Sequence, residues 1–228
     1  MNKETLSADI IENKSVKEYS FGSVVVLTSN IDNFSIKVPN RYVEFMINKS
    51  LFNQQQLFIL NNVKVLYPQA VQDYKNSLLN GYPFNPYGAF LSYSVTYNEN
   101  CLLSFYYDTY QYTGGAHGTT IRKSDTYSLI SGKEIPLTHF FDSQTNYRKK
   151  ILDNILEQAD ARMAENPGIF FDDYRALIKK YFNAESYYLS PDGIVIYFGQ
   201  YEIAPYVTGI VEFTLPYTMV DFPPKCPK

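Results

Sequence analysis

Few side chains in this 228-residue sequence are suited to acid–base or nucleophilic work. There are two histidines, His117 and His139, and two cysteines, Cys101 and Cys226. His117 lies at the tip of Tyr110–Gly118, YQYTGGAHG, the best-marked turn in the chain. A general base needs a nucleophile or water and an orienting group, and no such partner is visible locally. The structural reading has the His117 ring bonding a backbone carbonyl to lock the loop; the functional one makes it a ligand contact or base. The structural reading is preferred. His139 adjoins Phe140 and Phe141 and is read as packing. Glu202 stands among aromatics in YEIAPY, Tyr201–Tyr206. A carboxylate there either has a raised pKa or accepts tyrosine hydroxyls, and the second is the default. Asp172 and Asp173 are adjacent, about 100° apart on a helix, which suits a helix start better than a catalytic pair. Two histidines without metal-type spacing make a zinc site improbable. The sequence has no nucleophile elbow, P-loop or dinucleotide fingerprint. No catalytic residue, metal ligand or cofactor is assigned.

The elements that must position these residues follow from periodicity. The first ~20 residues are polar and are expected to be loosely held. Ser23–Ser29 reads as a strand, with Phe34–Val38 as its partner. From Phe52 the pattern Phe52, Gln56, Leu60, Val63, Tyr67, Val71, Tyr74, Leu78 is helical. Pro68 removes one helix hydrogen bond, so a kink or a junction of two helices is expected there. Asn80-Gly81 ends the run. Phe90–Tyr97 and Leu102–Tyr112 read as strands around a turn at Asn98–Asn100. Thr120–Ile130 returns after the glycine turn. If Thr113 pairs with Gly118, a four-residue loop closes the hairpin, Asp108 faces Lys123 and Gln111 faces Thr120. Tyr147, Ile151, Ile155, Ala159 and Met163 mark one helix, ended by Pro167-Gly168, and Asp172–Phe182 a second. Strands at 187–189, 194–198 and 210–215 close the chain. Helices and strands are grouped and tight turns join strand pairs. That predicts an α+β fold, mainly antiparallel sheet with helices packed on it.

Composition excludes several function classes. The chain is 45% hydrophobic and 19% charged with net charge −3, so it folds, and no basic block offers phosphates a groove. No nucleic-acid partner is expected. No apolar stretch approaches the ~20 residues of a membrane span, and the first residues lack the pattern of a secretory signal. The chain as given therefore reads as cytoplasmic. Two cysteines so far apart make no disulfide framework. Two free thiols are the simpler reading, and a single bridge from the C-terminus to a strand is the other. Tyrosine is the unusual quantity, 22 residues beside 16 Phe and no Trp. It suits half-buried strands and also contact surfaces for sugars or proteins.

Five segments, taken together, resemble the RsiV/PdaC-type family. They are GYPFNPY (Gly81–Tyr87), YSVTYNEN (Tyr93–Asn100), YQYTGGAHG (Tyr110–Gly118), SGKEIPLTHFF (Ser131–Phe141) and PDGIVIYFGQYEIAPYVTGIVEFTLPY (Pro191–Tyr217). The resemblance covers about residues 20–220. It implies a single α+β unit with a PdaC-like half at 20–118 and an RsiV-like half at 119–220. Members include the sensor domain of a lysozyme-binding anti-sigma factor and the non-catalytic accessory region of a peptidoglycan deacetylase. By resemblance the location would be the cell envelope or outside the cell.

The leading expectation is a non-catalytic binding or sensor module for peptidoglycan glycan or a lysozyme-like muramidase. Its candidate contacts are Tyr110, Tyr112, His117, Glu202 and Tyr206. The rivals are a hydrolase of cell-wall material, using Glu202 or Asp108 with His117, and a structural protein-interaction domain.

Overall fold

The structure, a computed structural model, describes residues 6–226. Two compact units compose it. Among the described residues, one contains Asp9–Tyr93 and Tyr107–Ile121; the other contains residues 6–8, Ser94–Tyr106 and residues 122–226. The architecture is α+β, as the grouped elements predict.

In the first unit β1 (Asp9–Phe21) and β2 (Val24–Lys37) form an antiparallel hairpin across Gly22-Ser23, with Gly22 at φ 63°. This corrects two expectations. Residues 9–21 are a strand rather than a loose tail; the part of that expectation covering residues 1–5 lies outside the described residues. The segments 23–29 and 34–38 are one strand rather than two partners. The edge position of β1 explains the first miss. Nearly all its side chains meet solvent, so no apolar alternation survives. Polar Asn30, Asp32 and Asn33 disguise the continuity of β2.

After β2 the chain crosses to β3 (Tyr87–Glu99), which pairs with β2 in parallel from Leu27↔Tyr87 to Asp32↔Ser92. A parallel pair needs a long crossover, and α1 (Arg41–Asn61) with α2 (Tyr67–Asn80) provides it. Asn40 caps α1, its side-chain oxygen accepting from the Tyr42 and Val43 amides. Pro68 does not stop the run. Asn62–Leu66 widens into a π-turn just before it, and Pro68 falls in the first turn of α2. Gly81 ends α2 in the left-handed region, φ 69°. Val43, Ile47, Leu51 and Phe58 are the buried face of α1, while the expected stripe members Phe52, Leu60, Val63 and Leu78 are exposed. The period was right and the buried face was not, because α1 is apolar on both sides.

β4 (Leu102–Tyr112) and β5 (Thr119–Ser128) complete a five-stranded sheet in the order β1-β2-β3-β4-β5. Asn100 and Cys101, at φ 52° and 62°, make the two-residue turn into β4. Cys101 is buried and bonded to Cys226, which corrects the free-thiol reading. The Asp221 and Phe222 amides donate to the Phe140 carbonyl, at 3.0 and 3.1 Å, and seat the C-terminal segment. Sequence distance hides this meeting.

The second unit's core is a three-stranded antiparallel sheet, β6 (Tyr187–Ser190), β7 (Gly193–Phe198) and β8 (Val211–Pro216), in that order. Central β7 is buried along its whole length. Ile151, Ile155 and Ala159 of α3 (Tyr147–Glu165) and Ile178 of α4 (Tyr174–Tyr181) join its core. Side chains satisfy the sheet's outer backbone groups. Gln158 donates to the Thr214 carbonyl (2.9 Å), Arg162 to that of Glu212 (2.8 Å), and the Leu189 amide donates to the Ser104 hydroxyl (2.9 Å). Edges occupied in this way are poor templates for aggregation.

Candidate functional site

The glycine turn is built to hold one shape. Strand β4 ends at Tyr112 and β5 begins at Thr119, so the connection Thr113–Gly118 has six residues rather than four. Gly114 takes φ 83°, which only glycine adopts readily. The Asn85 side-chain amide donates to the Gly114 carbonyl at 3.1 Å. That bond joins the GYPFNPY segment to the YQYTGGAHG segment. Gly118 is required for space: a Cβ there would stand 2.4 Å from the Gln111 carbonyl oxygen and 2.4 Å from the Tyr110 ring. Tyr110 in turn packs on Phe90, ring centroids 5.6 Å apart.

The register of the returning strand differs from the expected one by one residue. The Ser104 and Thr126 hydroxyls are 2.8 Å apart, so those side chains share a face. Alternation then leaves Asp108 on Ser104's face and Lys123 on the opposite one. The expected Asp108–Lys123 pair is therefore not formed, because a one-residue slip reverses the face of every residue on the returning strand.

His117 combines the two expected behaviours. Its Nδ1 lies 3.2 Å from the Gly118 carbonyl, where it donates, and the residue is exposed. The ring is tied to backbone in a residue that is itself exposed. Tyr110 and Tyr112 are half-buried on the same strand face. These three residues belong to the first unit.

Glu202 and Tyr206 belong to the second unit. Glu202 Oε2 accepts the Gly199 amide at 2.6 Å, and the Glu202 amide donates to the Gly199 carbonyl at 3.2 Å. This carboxylate closes its own turn, in place of the tyrosine hydroxyl bonds expected for it. Tyr201 adopts φ 63° and stacks near Tyr206, rings 5.8 Å apart and tilted by 34°. Val207 beside them is 91% exposed. His139 is exposed, with its ring edge-on to Phe140 at 5.5 Å. The reading of His139 as packing is right about the neighbour but not about burial.

Sequence reasoning missed a concave carboxylate site in the second unit. A cavity of ≈ 280 Å³ is lined by Glu134 and Glu185, the hydroxyls of Ser124, Thr126 and Thr138, and the buried Tyr187. Burial first, then the charges of Asp125 and Glu185, pushes the Glu134 carboxyl above the usual carboxylate range. Burial also raises the Tyr187 phenol, whose hydroxyl donates to the Ile135 carbonyl. Glu134 stands in the SGKEIPLTHFF segment, but nothing in the sequence ties that segment to Glu185. Nearby, Arg122 pairs with Glu212 and lies over the Tyr106 ring at 3.6 Å, and the Tyr188 hydroxyl donates to Glu212 at 2.9 Å. No cluster of three His, Cys, Asp or Glu side chains suited to a metal ion occurs among the described residues.

Two family models match the chain in succession. Residues 26–120 match the model described as deacetylase PdaC, and residues 138–218 match DUF3298, a protein family of unknown function. A solved DUF3298-family structure from Bacteroides fragilis is 19% identical and aligns over 95% of each chain with a TM-score of 0.68. A second, from Pseudomonas aeruginosa, is 16% identical over 98% of each chain with a TM-score of 0.62. At these identities the likeness is one of fold. No curated protein matches the sequence.

Proposed function

The chain belongs to the PdaC/RsiV-type family, its PdaC match preceding its DUF3298 match, and from that premise we propose that it is a non-catalytic binding module for a cell-wall partner, either peptidoglycan glycan or a lysozyme-like muramidase. One observation carries the reading. Asn85 holds the Tyr110–Gly118 loop at Gly114, Gly118 admits the Tyr110 ring, and His117 is presented to solvent. A loop fixed before binding loses little entropy on contact. Tyrosines with an imidazole offer stacking area and hydrogen-bond donors, which suit sugar rings and protein backbones alike. In the second unit, Tyr201, Tyr206 and Val207 present another aromatic and apolar corner. The Glu202 carboxylate is engaged by the Gly199 amide, which counts against its use as the general base of a hydrolase. The Cys101–Cys226 bond favours an oxidising compartment, in keeping with an envelope or extracellular partner.

Titration calorimetry with soluble peptidoglycan fragments and with lysozyme tests the proposal. The wild type is expected to bind one of them, and Tyr112→Ala or His117→Ala to weaken that binding at least roughly tenfold. Unchanged affinity in both variants removes the loop as the contact surface. No binding by the wild type removes the function.

A further inference from the structure

Helix α1 carries a second apolar face that its packing does not use. Its exposed apolar positions are Tyr42, Phe45, Met46, Phe52, Leu57 and Leu60, then Val63 just beyond its end, with the polar Lys49, Asn53 and Gln56 among them. At 3.6 residues per turn they occupy one arc of about 140° over about 32 Å of helix. Phe45, Phe52 and Leu57 are 59%, 56% and 68% exposed. Several large exposed apolar side chains on one helix face mark an interaction site. The opposite face meets the core through Val43, Ile47, Leu51 and Phe58.

The charges on this face choose the partner. Arg41, Lys49 and Lys64 are exposed on or beside it, and the Lys49 ammonium lies over the Phe45 ring at 5.8 Å. The one acidic residue between Arg41 and Lys64 is Glu44, which is turned away and accepts the Val38 amide at 3.3 Å. A cationic, aromatic and aliphatic stripe thus stands on a chain whose net charge is −3. A second copy of the chain would bring more cations to the contact and no anion. An anionic lipid surface brings the complementary charge, accepts a convex helix without needing a groove, and takes phenylalanine and leucine side chains at the headgroup boundary. We propose that the outward face of α1 docks on an anionic bilayer surface, lying along it rather than crossing it. No helix among the described residues is long and apolar enough to cross a membrane.

Vesicle sedimentation tests this with the whole chain, using phosphatidylcholine vesicles with and without phosphatidylglycerol. The wild type is expected to partition onto the anionic vesicles roughly thirtyfold better than onto the neutral ones, from two lysines at the surface. High salt should remove most of that difference. Phe45→Ser/Phe52→Ser/Leu57→Ser should lose at least about tenfold in partitioning, since each side chain is apolar surface withdrawn from water. Lys49→Glu/Lys64→Glu should abolish the preference for phosphatidylglycerol. The substituted positions are exposed, so circular dichroism should match the wild type for both variants. A wild type that stays with the supernatant, or a triple variant that binds as the wild type does, overturns the proposal. Ultracentrifugation showing a lipid-free dimer that the triple variant breaks also overturns it, in favour of a second copy.

Discussion

Gly118→Ala isolates the architecture of the candidate loop. The added methyl carbon would stand 2.4 Å from the Gln111 carbonyl oxygen and within 2.4–2.6 Å of two Tyr110 ring carbons. Ordinary carbon contacts begin near 3.5 Å, so about 1 Å must be recovered. Moving the Tyr110 ring relieves only part of the clash, because the Gln111 oxygen is backbone within β4. Overpacking of this kind costs about 1–3 kcal/mol, and the backbone obstacle places this case near the upper end, at about 2–3 kcal/mol. In a chain of this length that lowers Tm by roughly 4–10 °C. Gly115→Ala is the internal control. No atom lies within 4 Å of a Cβ built there, and Gly115 is not among the positive-φ glycines. It should leave stability unchanged or raise it by about 0.4–1 kcal/mol through the unfolded chain. Urea denaturation of both variants measures the difference, and limited chymotrypsin digestion reports whether the tyrosines flanking the loop become accessible. If Gly118→Ala falls within about 0.5 kcal/mol of Gly115→Ala, the loop is not held against Tyr110 and the argument for a pre-fixed contact surface collapses.

Cys226→Ser should destabilise the chain by up to about 5 kcal/mol, the chain-entropy value for a link spanning 125 residues. Equal urea midpoints for the oxidised, reduced and substituted proteins would contradict it. Glu134→Gln should matter at neutral pH and not in acid. The folded-state pKa is raised, so the wild type's relative stability is greatest below the unfolded value and declines as pH rises through the folded one. The variant should therefore show a higher Tm than the wild type at neutral pH and an equal one well below the ordinary carboxylate range; a Tm difference independent of pH refutes the assignment. Asp221 has the opposite sign. Its carboxylate accepts from the Asp142 amide and the Thr145 hydroxyl beside Lys150, which lowers its pKa. Asp221→Asn should lose stability above the ordinary carboxylate range and match the wild type once pH falls below the folded value, as thermal scans across pH would show.

What could be read from sequence divides by physical scale. Leu102–Tyr112 was legible to the residue because a long run of aromatic and β-branched residues is bounded by turns on both sides. The buried stripe Ile151, Ile155, Ala159 was legible because α3 has one apolar face. Helix α1 was legible as a helix but not as to its inward face, since Phe52 and Leu60 have the same period as Ile47, Leu51 and Phe58. Strand β1 was illegible because an exposed edge strand has no need to alternate. The loop residues could be named, but not their register, since both faces of β4 carry aromatic and polar residues and neither alternation marks an inward side.

The candidate site divides along the same line, and the division bears on what kind of site it is. Tyr110, Tyr112 and His117 are neighbours in sequence, and local chemistry brings them to one hairpin. Glu134 and Glu185 are fifty-one residues apart, and only the fold brings them to one cavity with Tyr187. The raised Glu134 pKa comes first from burial and then from the charges of Asp125 and Glu185, whereas the hairpin's tyrosines rest half-exposed. A surface that tolerates tyrosines cheaply can change its contacts without endangering the fold, which suits recognition of a partner. The carboxylate cavity has less freedom, because its lining includes the buried Tyr187, whose hydroxyl donates to the Ile135 carbonyl. Substitutions in the hairpin, Gly114 and Gly118 excepted, should therefore alter binding with little loss of stability. Substitutions at Glu134 should alter the pH dependence of stability and leave binding by the hairpin untouched. Calorimetry and thermal scans on Tyr112→Ala and Glu134→Gln separate the two, and a Glu134→Gln variant that loses affinity for the hairpin's partner would show the two regions to be one site.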